Sequence, residues 1–217
     1  MGKLFSLGHK IVHIPTLKIL SVNVSPVDSK KYDAFIFTSA NAIRNLKLNN
    51  QDNSKICFCV GSITEKIERQ KGYNYTISAG GTVNALKNII LNSDQIDKKK
   101  SIAYFCGDYI SSNLDIELKN DGFQIDKIIN YTSEKITDLN EENNKIINNH
   151  PPDIIFIYSK RSAESFIDIV KKYSLNGLMT ESRVLCISEK VLGVLKKSGW
   201  KKLEVFQPGE ELEKLKV

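Results

Sequence analysis

YDAFIFTSANAIRNL, residues 32–46, runs from an unbroken apolar stretch through a small polar turn into an amphipathic helical pattern. An apolar run without alternation suits a parallel strand covered on both faces, and a Ser-Ala-Asn turn suits the start of a helix. The unit returns at 152–166 as PDIIFIYSKRSAESF, with Asp33 matched by Asp153 and Ser39 by Ser159. A second kind of unit, KICFCVGSITEKIERQKGY at 55–73, returns at 183–200 as RVLCISEKVLGVLKKSGW. Each copy of the second unit ends at a glycine, Gly72 or Gly199, placed to cap a helix. Two units repeated in the same order point to an internal duplication.

Outward from these units the same alternation continues. Strands are expected at 10–14, 34–39, 55–61, 101–106, 123–131, 153–159, 183–188 and 203–207. Helices are expected at 41–48, 63–71, 82–91, 110–121, 161–173, 189–198 and 209–216, and the Asn-rich stretch 138–152 reads as a surface helix and loop. Alternating strands and helices predict an α/β fold, with two Rossmann- or flavodoxin-like parallel-sheet domains. A third pair, LKNDGFQIDKI at 118–128 and LFSLGHKIVHI at 4–14, matches Gly122 with Gly8. The later copy follows a complete strand and loop, SIAYFCGDYISSN, with no counterpart at the amino end, so a strand and its turn are expected to be missing there. The repeat order predicts a discontinuous first domain, 1–15 with 138–217, and an inserted second domain, 24–130. The crossings at 16–23 and 131–137 are extended and β-prone, and are expected to pair as a two-stranded linker.

Composition excludes several classes. Apolar residues make 41% and charged residues 26% of the 217, which fits a globular domain with its own core and no need of staples. No apolar run approaches the roughly 18 residues of a membrane span, and MGKLFSLGHK is too short and weakly apolar for a signal peptide, so a cytoplasmic protein is expected. The net charge of +6 is scattered over Lys98–Lys100, Lys171–Lys172 and Lys201–Lys202 without interleaved aromatics, which argues against nucleic acid as a partner. Cys57, Cys59, Cys106 and Cys186 each sit in an apolar run, as buried free thiols do, and without a second close Cys or His pair they make no zinc site. Neither the CGD nor the AGGT stretch completes a nucleotide-binding signature.

The candidate chemistry lies in the strand-to-helix turns, whose exposed N–H groups favour anions. Thr38, Ser39 and Asn41 form the first turn, Gly61, Ser62 and Thr64 the second, Gly80, Gly81 and Thr82 the third, and Gly107 lies in the fourth. Ser159, Ser162 and Ser188 form the matching turns of the other domain. Four or more such turns on sheet edges suit a molecule bearing many carboxylates. Each residue also has an ordinary use: Ser39, Asn41 and Thr82 as helix caps, Gly61 and Gly107 as turn formers, and Thr64 in a first-turn hydrogen bond.

FIFTSANAIRNL, a strand ending in VGSIT, then GGTVNAL, FCGD and NYTSEKI together resemble the inserted domain of uroporphyrinogen-III synthases. IFIYSKRSAESF and LCISEKVLGVLKKSGW resemble the matching units of their other domain, so the likeness covers nearly the whole chain. It implies conversion of hydroxymethylbilane to uroporphyrinogen III, with loss of water and inversion of the last pyrrole ring, without metal or organic cofactor. It implies a substrate held in a cleft between domains through backbone N–H groups and hydroxyl side chains. It places Tyr131 where a phenol helps the terminal hydroxyl depart. It further implies a monomer, with at most transient contact with the preceding enzyme of its pathway. The chain departs from the pattern where Ser188, Glu189, Lys190 and Val191 replace the usual glycine and threonines. It also has Tyr109, Ile110 and Ser111 where many relatives carry an arginine, and it lacks the usual opening strand and Thr-Arg-Pro turn. The alternatives left open are a non-catalytic tetrapyrrole-binding relative and another α/β cleft protein that binds small anions.

Overall fold

The computed structural model describes residues 6–207 and 209–215. In chain order its first elements are β1 (Leu17–Ser21), β2 (Val27–Asp28), β3 (Ala34–Phe37), α1 (Ala40–Arg44), β4 (Leu48–Asn49), β5 (Ile56–Cys59), α2 (Ser62–Gln70), β6 (Tyr75–Ser78) and α3 (Val83–Leu91). There follow β7 (Ser101–Gly107), α4 (Leu114–Asn120), β8 (Gln124–Lys135), α5 (Glu141–Asn149), β9 (Ile154–Ile157) and α6 (Lys160–Lys172). The chain closes with α7 (Asn176–Met179), β10 (Arg183–Cys186), α8 (Glu189–Lys197), β11 (Leu203–Val205) and α9 (Glu211–Lys214). Two compact units result: Ile19–Ser133, and the residues up to Lys18 together with those from Glu134 onward. The boundaries fall inside β1 and β8, which are neighbours in the sheet order. The bonds Val22 N→Asn130 O and Ile136 N→Thr16 O run in opposite senses along the two strands, so the pair is antiparallel.

The Ile19–Ser133 unit is built on the order β1-β8-β7-β3-β5-β6. β3 pairs in parallel with β5 and β7, β5 with β6, and β7 with β8. All four β3 residues are fully buried, which is why Ala-Phe-Ile-Phe carries no polar alternation. Ala34 and Ile36 face a core with Phe58, Ile102, Leu86, Ile90, Leu114 and Leu118, so α3 and α4 cover that side. Phe35 and Phe37 face Cys57, Ala103, Phe105, Ala42 and Ile43, so α1 covers the other. Phe35 and Phe37 each lie 5.5 Å from the Phe105 ring, edge-on and stacked respectively. Each such buried aromatic contributes roughly 1.5–3 kcal/mol over exposure, making this the stable centre of the unit. From β3 the chain builds outward through β5 and β6, then returns to lay β7 and β8 on the opposite side. The C-terminal ends of β3 and β7 therefore flank a topological switch point, where open α/β sheets leave a crevice.

The other unit holds a parallel sheet in the order β11-β10-β9. Its core gathers Ile157, Val184 and Cys186 from the strands, Phe166, Ile169 and Val170 from α6, and Val191 and Leu195 from α8. Phe166 lies 5.7 Å from Trp200, just beyond α8. Gly72 and Gly199 both follow a helix with positive φ, 95° and 89°, the backbone setting that ends a helix most cheaply at glycine.

The structure departs from sequence expectation in several places, among them the short helix α7 and strand β2, which were not foreseen. Residues 10–14 form no strand; His13 instead offers its carbonyl to Asn143, and Ile14 packs on the α6/α8 core. A strand unforeseen in the sequence, β6, pairs with β5. The first helix ends at Arg44, after which Leu48–Asn49 pairs with Val27–Asp28. The helix expected over 110–121 begins only at Leu114. Among the described residues no helix is long and apolar enough to cross a membrane.

Candidate functional site

In the Ile19–Ser133 unit the polar turns emerge at the C-terminal edge of the sheet because every parallel strand ends there. β3 delivers Thr38 and Ser39. Ser39 is extended (φ −149°) and caps α1, its Oγ accepting from the Asn41 N–H at 3.2 Å. Thr38 Oγ1 lies 3.0 Å from the Tyr104 hydroxyl, and Asn41 Oδ1 accepts from Arg44 at 3.1 Å. β5 delivers Gly61, which caps α2 without any side chain, followed by exposed Ser62 and buried Thr64. A Cβ at Gly61 would lie 3.9 Å from Gly81 Cα, so two turns approach closely here. The Gly81 N–H donates to Val60 O at 2.6 Å. β6 leads to exposed Gly80, Gly81 and Thr82, and Thr82 caps α3 by accepting from the Ala85 N–H at 3.1 Å.

The tightest arrangement is at the switch point. β7 ends at Gly107, which pairs with Tyr131 of β8. A Cβ on Gly107 would meet Tyr131 Cε2 and Cζ at 2.7 Å, so the missing side chain is the space that the ring occupies. Tyr131 is 9% exposed and shares its core with Phe37, Phe105 and Ala42. Burial pushes its phenol above the ordinary tyrosine range, while hydrogen bonding with Ser39 and the Gly107 backbone offsets part of that rise. Ser39, Gly107 and Tyr131 are thus brought together around one phenol, while Thr38 turns its hydroxyl to Tyr104, which belongs to the core on the other face of the sheet. Sequence reasoning missed Asp108, which ties the next stretch of β8 in place. Its carboxylate accepts from the Thr132 hydroxyl and from the Ser133 N–H at 3.3 Å, and its own N–H donates to Tyr131 O at 3.1 Å. An acidic residue straight after a glycine-ended strand was the available signal.

In the other unit, β9 delivers Ser159 and β10 delivers Ser188. Ser159 caps α6, accepting from the Ser162 N–H at 3.0 Å while its hydroxyl donates to Ser162 Oγ at 2.8 Å. Ser188 caps α8, accepting from the Val191 N–H at 3.4 Å. Exposed Glu189 follows in the first turn of α8. The four cysteines are free and buried. Burial pushes the Cys59 thiol up to about 12 and those of Cys106 and Cys186 to about 11, which removes them as nucleophiles at neutral pH. Among the described residues no group of three or more His, Cys, Asp or Glu stands placed to hold a metal ion.

Residues 2–209 match the family described as uroporphyrinogen-III synthase HemD. The chain belongs to the uroporphyrinogen-III synthase family. Its fold is similar to that of the uroporphyrinogen-III synthetase of Helicobacter pylori, with a TM-score of 0.65 at 17% identity over 91% of this chain and 88% of that one. It is also similar to a mutant uroporphyrinogen III synthase of the extremely thermophilic bacterium Thermus thermophilus, with a TM-score of 0.56 at 13% identity over 96% of this chain and 87% of that one. No curated protein matches the sequence. The synthase family is one of lyases in tetrapyrrole and heme biosynthesis. At such identities the shared fold says nothing about individual side chains, whose roles rest on their own geometry.

Proposed function

We propose that this chain cyclises hydroxymethylbilane to uroporphyrinogen III, releasing water and inverting the last pyrrole ring. The observation that carries the reading is the Tyr131 phenol, fixed beside Ser39 and Gly107 at the switch point of a parallel sheet. Departure of the terminal hydroxyl leaves a cation on the ring that carried it, which the ring at the opposite end attacks as it inverts, and the hydroxyl must gain a proton to leave as water. A phenol held protonated by burial can donate a hydrogen bond to that oxygen throughout the neutral range. The ring's apolar body also shields the nascent cation from water, which would otherwise recapture it.

The carboxylates fall to the turns. Thr82 uses an oxygen lone pair to cap α3, which leaves its hydroxyl proton available to an anion, and Ser188 does the same at α8 in its own unit, whereas the Ser39 hydroxyl is taken by the Tyr131 phenol. In the Ser159–Ser162 pair, the proton of Ser159 is engaged and that of Ser162 takes its place. Gly61, Ser62 and Thr64 add backbone and hydroxyl donors at the adjacent strand end, while the Gly81 N–H is held by Val60 O. Ring closure without inversion is facile in solution, so the demand on the protein is geometry more than acid strength.

Freshly prepared hydroxymethylbilane incubated with this chain, followed by chromatographic separation of the isomers, tests the reading. Predominance of the type III product supports it. Type I alone, at the rate seen without protein, overturns it. Tyr131→Phe is expected to slow type III formation about 10-fold to 100-fold without abolishing it, at or below the lower end of what general-acid catalysis supplies, because the reaction is already facile.

A further inference from the structure

The β7–β8 ladder runs in unbroken parallel register from Ser101 opposite Gln124 to Cys106 opposite Ile129, and then skips: Gly107 stands opposite Tyr131. Asn130 is therefore an extra residue with no partner on β7. In a regular strand, neighbours point to opposite faces, so Asn130 and Tyr131 would be divided between the two sides of the sheet. They are not divided. Asn130 (2% exposed) sends its Nδ2 to Ala42 O at 2.7 Å, on the side covered by α1, and Tyr131 packs with Ala42, Phe37 and Phe105 on that same side. Ile129, just before them, is 39% exposed. One inserted residue turns two successive side chains to a single face, as bulges beside functional sites do.

We propose that the bulge at Asn130 is a positioning device that holds the Tyr131 phenol beside Ser39 and Gly107, with the Asn130 side chain as its fastener. The fastener has a specific anchor. Helix α1 ends at Arg44, and the Leu46 N–H goes to Ile43 O, so Ala42 O is left without the partner a longer helix would supply. Asn130 supplies that partner, and its own carbonyl accepts from the Val22 N–H at 3.3 Å. The extra residue is thereby tied to β1 through its backbone and to α1 through its side chain. Since α1 is the helix that Ser39 caps, the same bond sets Tyr131 and Ser39 relative to each other. The arrangement has a cost: Asn130 Oδ1 is buried without a hydrogen-bond partner, a penalty an apolar residue would not carry. That the phenol so placed serves ring closure rests on the function proposed above; that the bulge places it does not.

The test separates these two statements. Protein carrying tyrosine labelled with carbon-13 at Cζ is titrated by NMR, with Tyr131→Phe identifying the resonance of Tyr131. In the parent chain this phenol is expected to titrate above the exposed tyrosines. Deletion of Asn130, which restores regular pairing, and Asn130→Ala, which removes only the fastener, are both expected to move the Tyr131 resonance toward that of an exposed tyrosine. A Tyr131 resonance and titration unchanged in Asn130→Ala overturns the proposal, and that variant decides the matter alone if the deletion does not fold. In the isomer assay Asn130→Ala is expected to lower type III formation about tenfold, part of the roughly 100-fold that a catalytic group misplaced by a full ångström loses. The double variant with Tyr131→Phe should then be no slower than Tyr131→Phe alone; losses that multiply overturn the proposal. If the parent chain makes only type I product while the NMR shift still occurs, the positioning stands and the proposed reaction falls.

Discussion

The repeat sets two turns side by side for comparison: β5–α2 in the Ile19–Ser133 unit, and β10–α8 in the other. Each strand ends at a cysteine, Cys59 or Cys186, and each helix is nine residues long. At the helix cap the first copy has Gly61, which offers no side-chain oxygen, so the N–H groups opening α2 keep their capacity for a ligand. The second has Ser188, which commits its oxygen to the Val191 N–H, followed by the negative charge of Glu189. Inside the helix the difference reverses. Nine residues past the cysteine the second copy buries Leu195, and the first buries Glu68, both at 0% exposure. One copy is thus open at its end and strained in its core, and the other is closed at its end and apolar within. The pair shows a duplicated scaffold keeping its strand and helix lengths while the polar duties are dealt out unequally.

The largest expected effect lies at the switch point, which has no match in the shorter sheet. Gly107→Ala would drive a methyl into space that Tyr131 Cε2 and Cζ occupy at 2.7 Å. The ring must move, and overpacking of this kind costs about 1–3 kcal/mol. Type III formation is expected to fall about 100-fold, the scale of a misplaced catalytic group, with a measurable drop in Tm. Unchanged isomer ratio and rate would mean that Tyr131 does not need its present position.

The core difference predicts a pH effect. Burial pushes the Glu68 carboxyl up to about 8; the Cys59 thiol and Thr76 hydroxyl lower it only in part, and neither carboxyl oxygen has a fully formed hydrogen bond. A carboxyl raised on folding binds its proton more tightly in the folded state. Its contribution to stability is therefore complete below the ordinary carboxylate range and is lost as pH rises toward about 8. Glu68→Leu, which copies Leu195, removes this dependence. Urea unfolding at pH 5 and pH 8 should show the variant gaining on the parent by on the order of 3 kcal/mol across that interval. A stability difference that stays constant with pH would show that Glu68 is not protonated in the folded chain.

How far the sequence disclosed all this depends on whether a feature leaves a periodic trace. The repeated strand–turn–helix units did, because a doubly covered strand must be continuously apolar, and AFIF and IIFI both form strands where expected. The capping serines were legible for the same reason, since a small hydroxyl at a strand-to-helix junction has few other uses. β6 escaped because YTIS lies at the sheet edge with Tyr75 58% exposed, and so carries little apolar signal. The strand expected at 10–14 failed in the opposite way: β-prone residues were present, but among the described residues no strand pairs with them. Glu68 could not be foreseen, since α2 turns Thr64 and Glu68 inward and leaves Ile63 67% exposed, against the periodicity of its isoleucines. The bulge was equally hidden, because one extra asparagine changes no composition and becomes visible only as a break in register.

The cap itself can be exchanged, and the effect expected is the smallest and the most specific. Gly61 has φ −157°, extended backbone that any residue adopts, and the nearest atom to an added Cβ is 3.9 Å away. Gly61→Ser should therefore fold without strain and close α2 as Ser188 closes α8, raising stability by a few tenths of a kcal/mol. If the opening N–H groups of α2 take a substrate carboxylate, the new hydroxyl competes for them, and KM for hydroxymethylbilane should rise roughly threefold while kcat holds, the scale of one anion contact at a helix start. Glu189→Gln, on the other side of the comparison, removes the negative charge from the first turn of α8 and should lower stability by a few tenths of a kcal/mol. A Gly61→Ser variant that is more stable with an unchanged KM would assign the glycine to the close approach of Gly81 alone. The carboxylates on this unit would then be held by the hydroxyl groups of Ser62 and Thr82, and not by the bare end of α2.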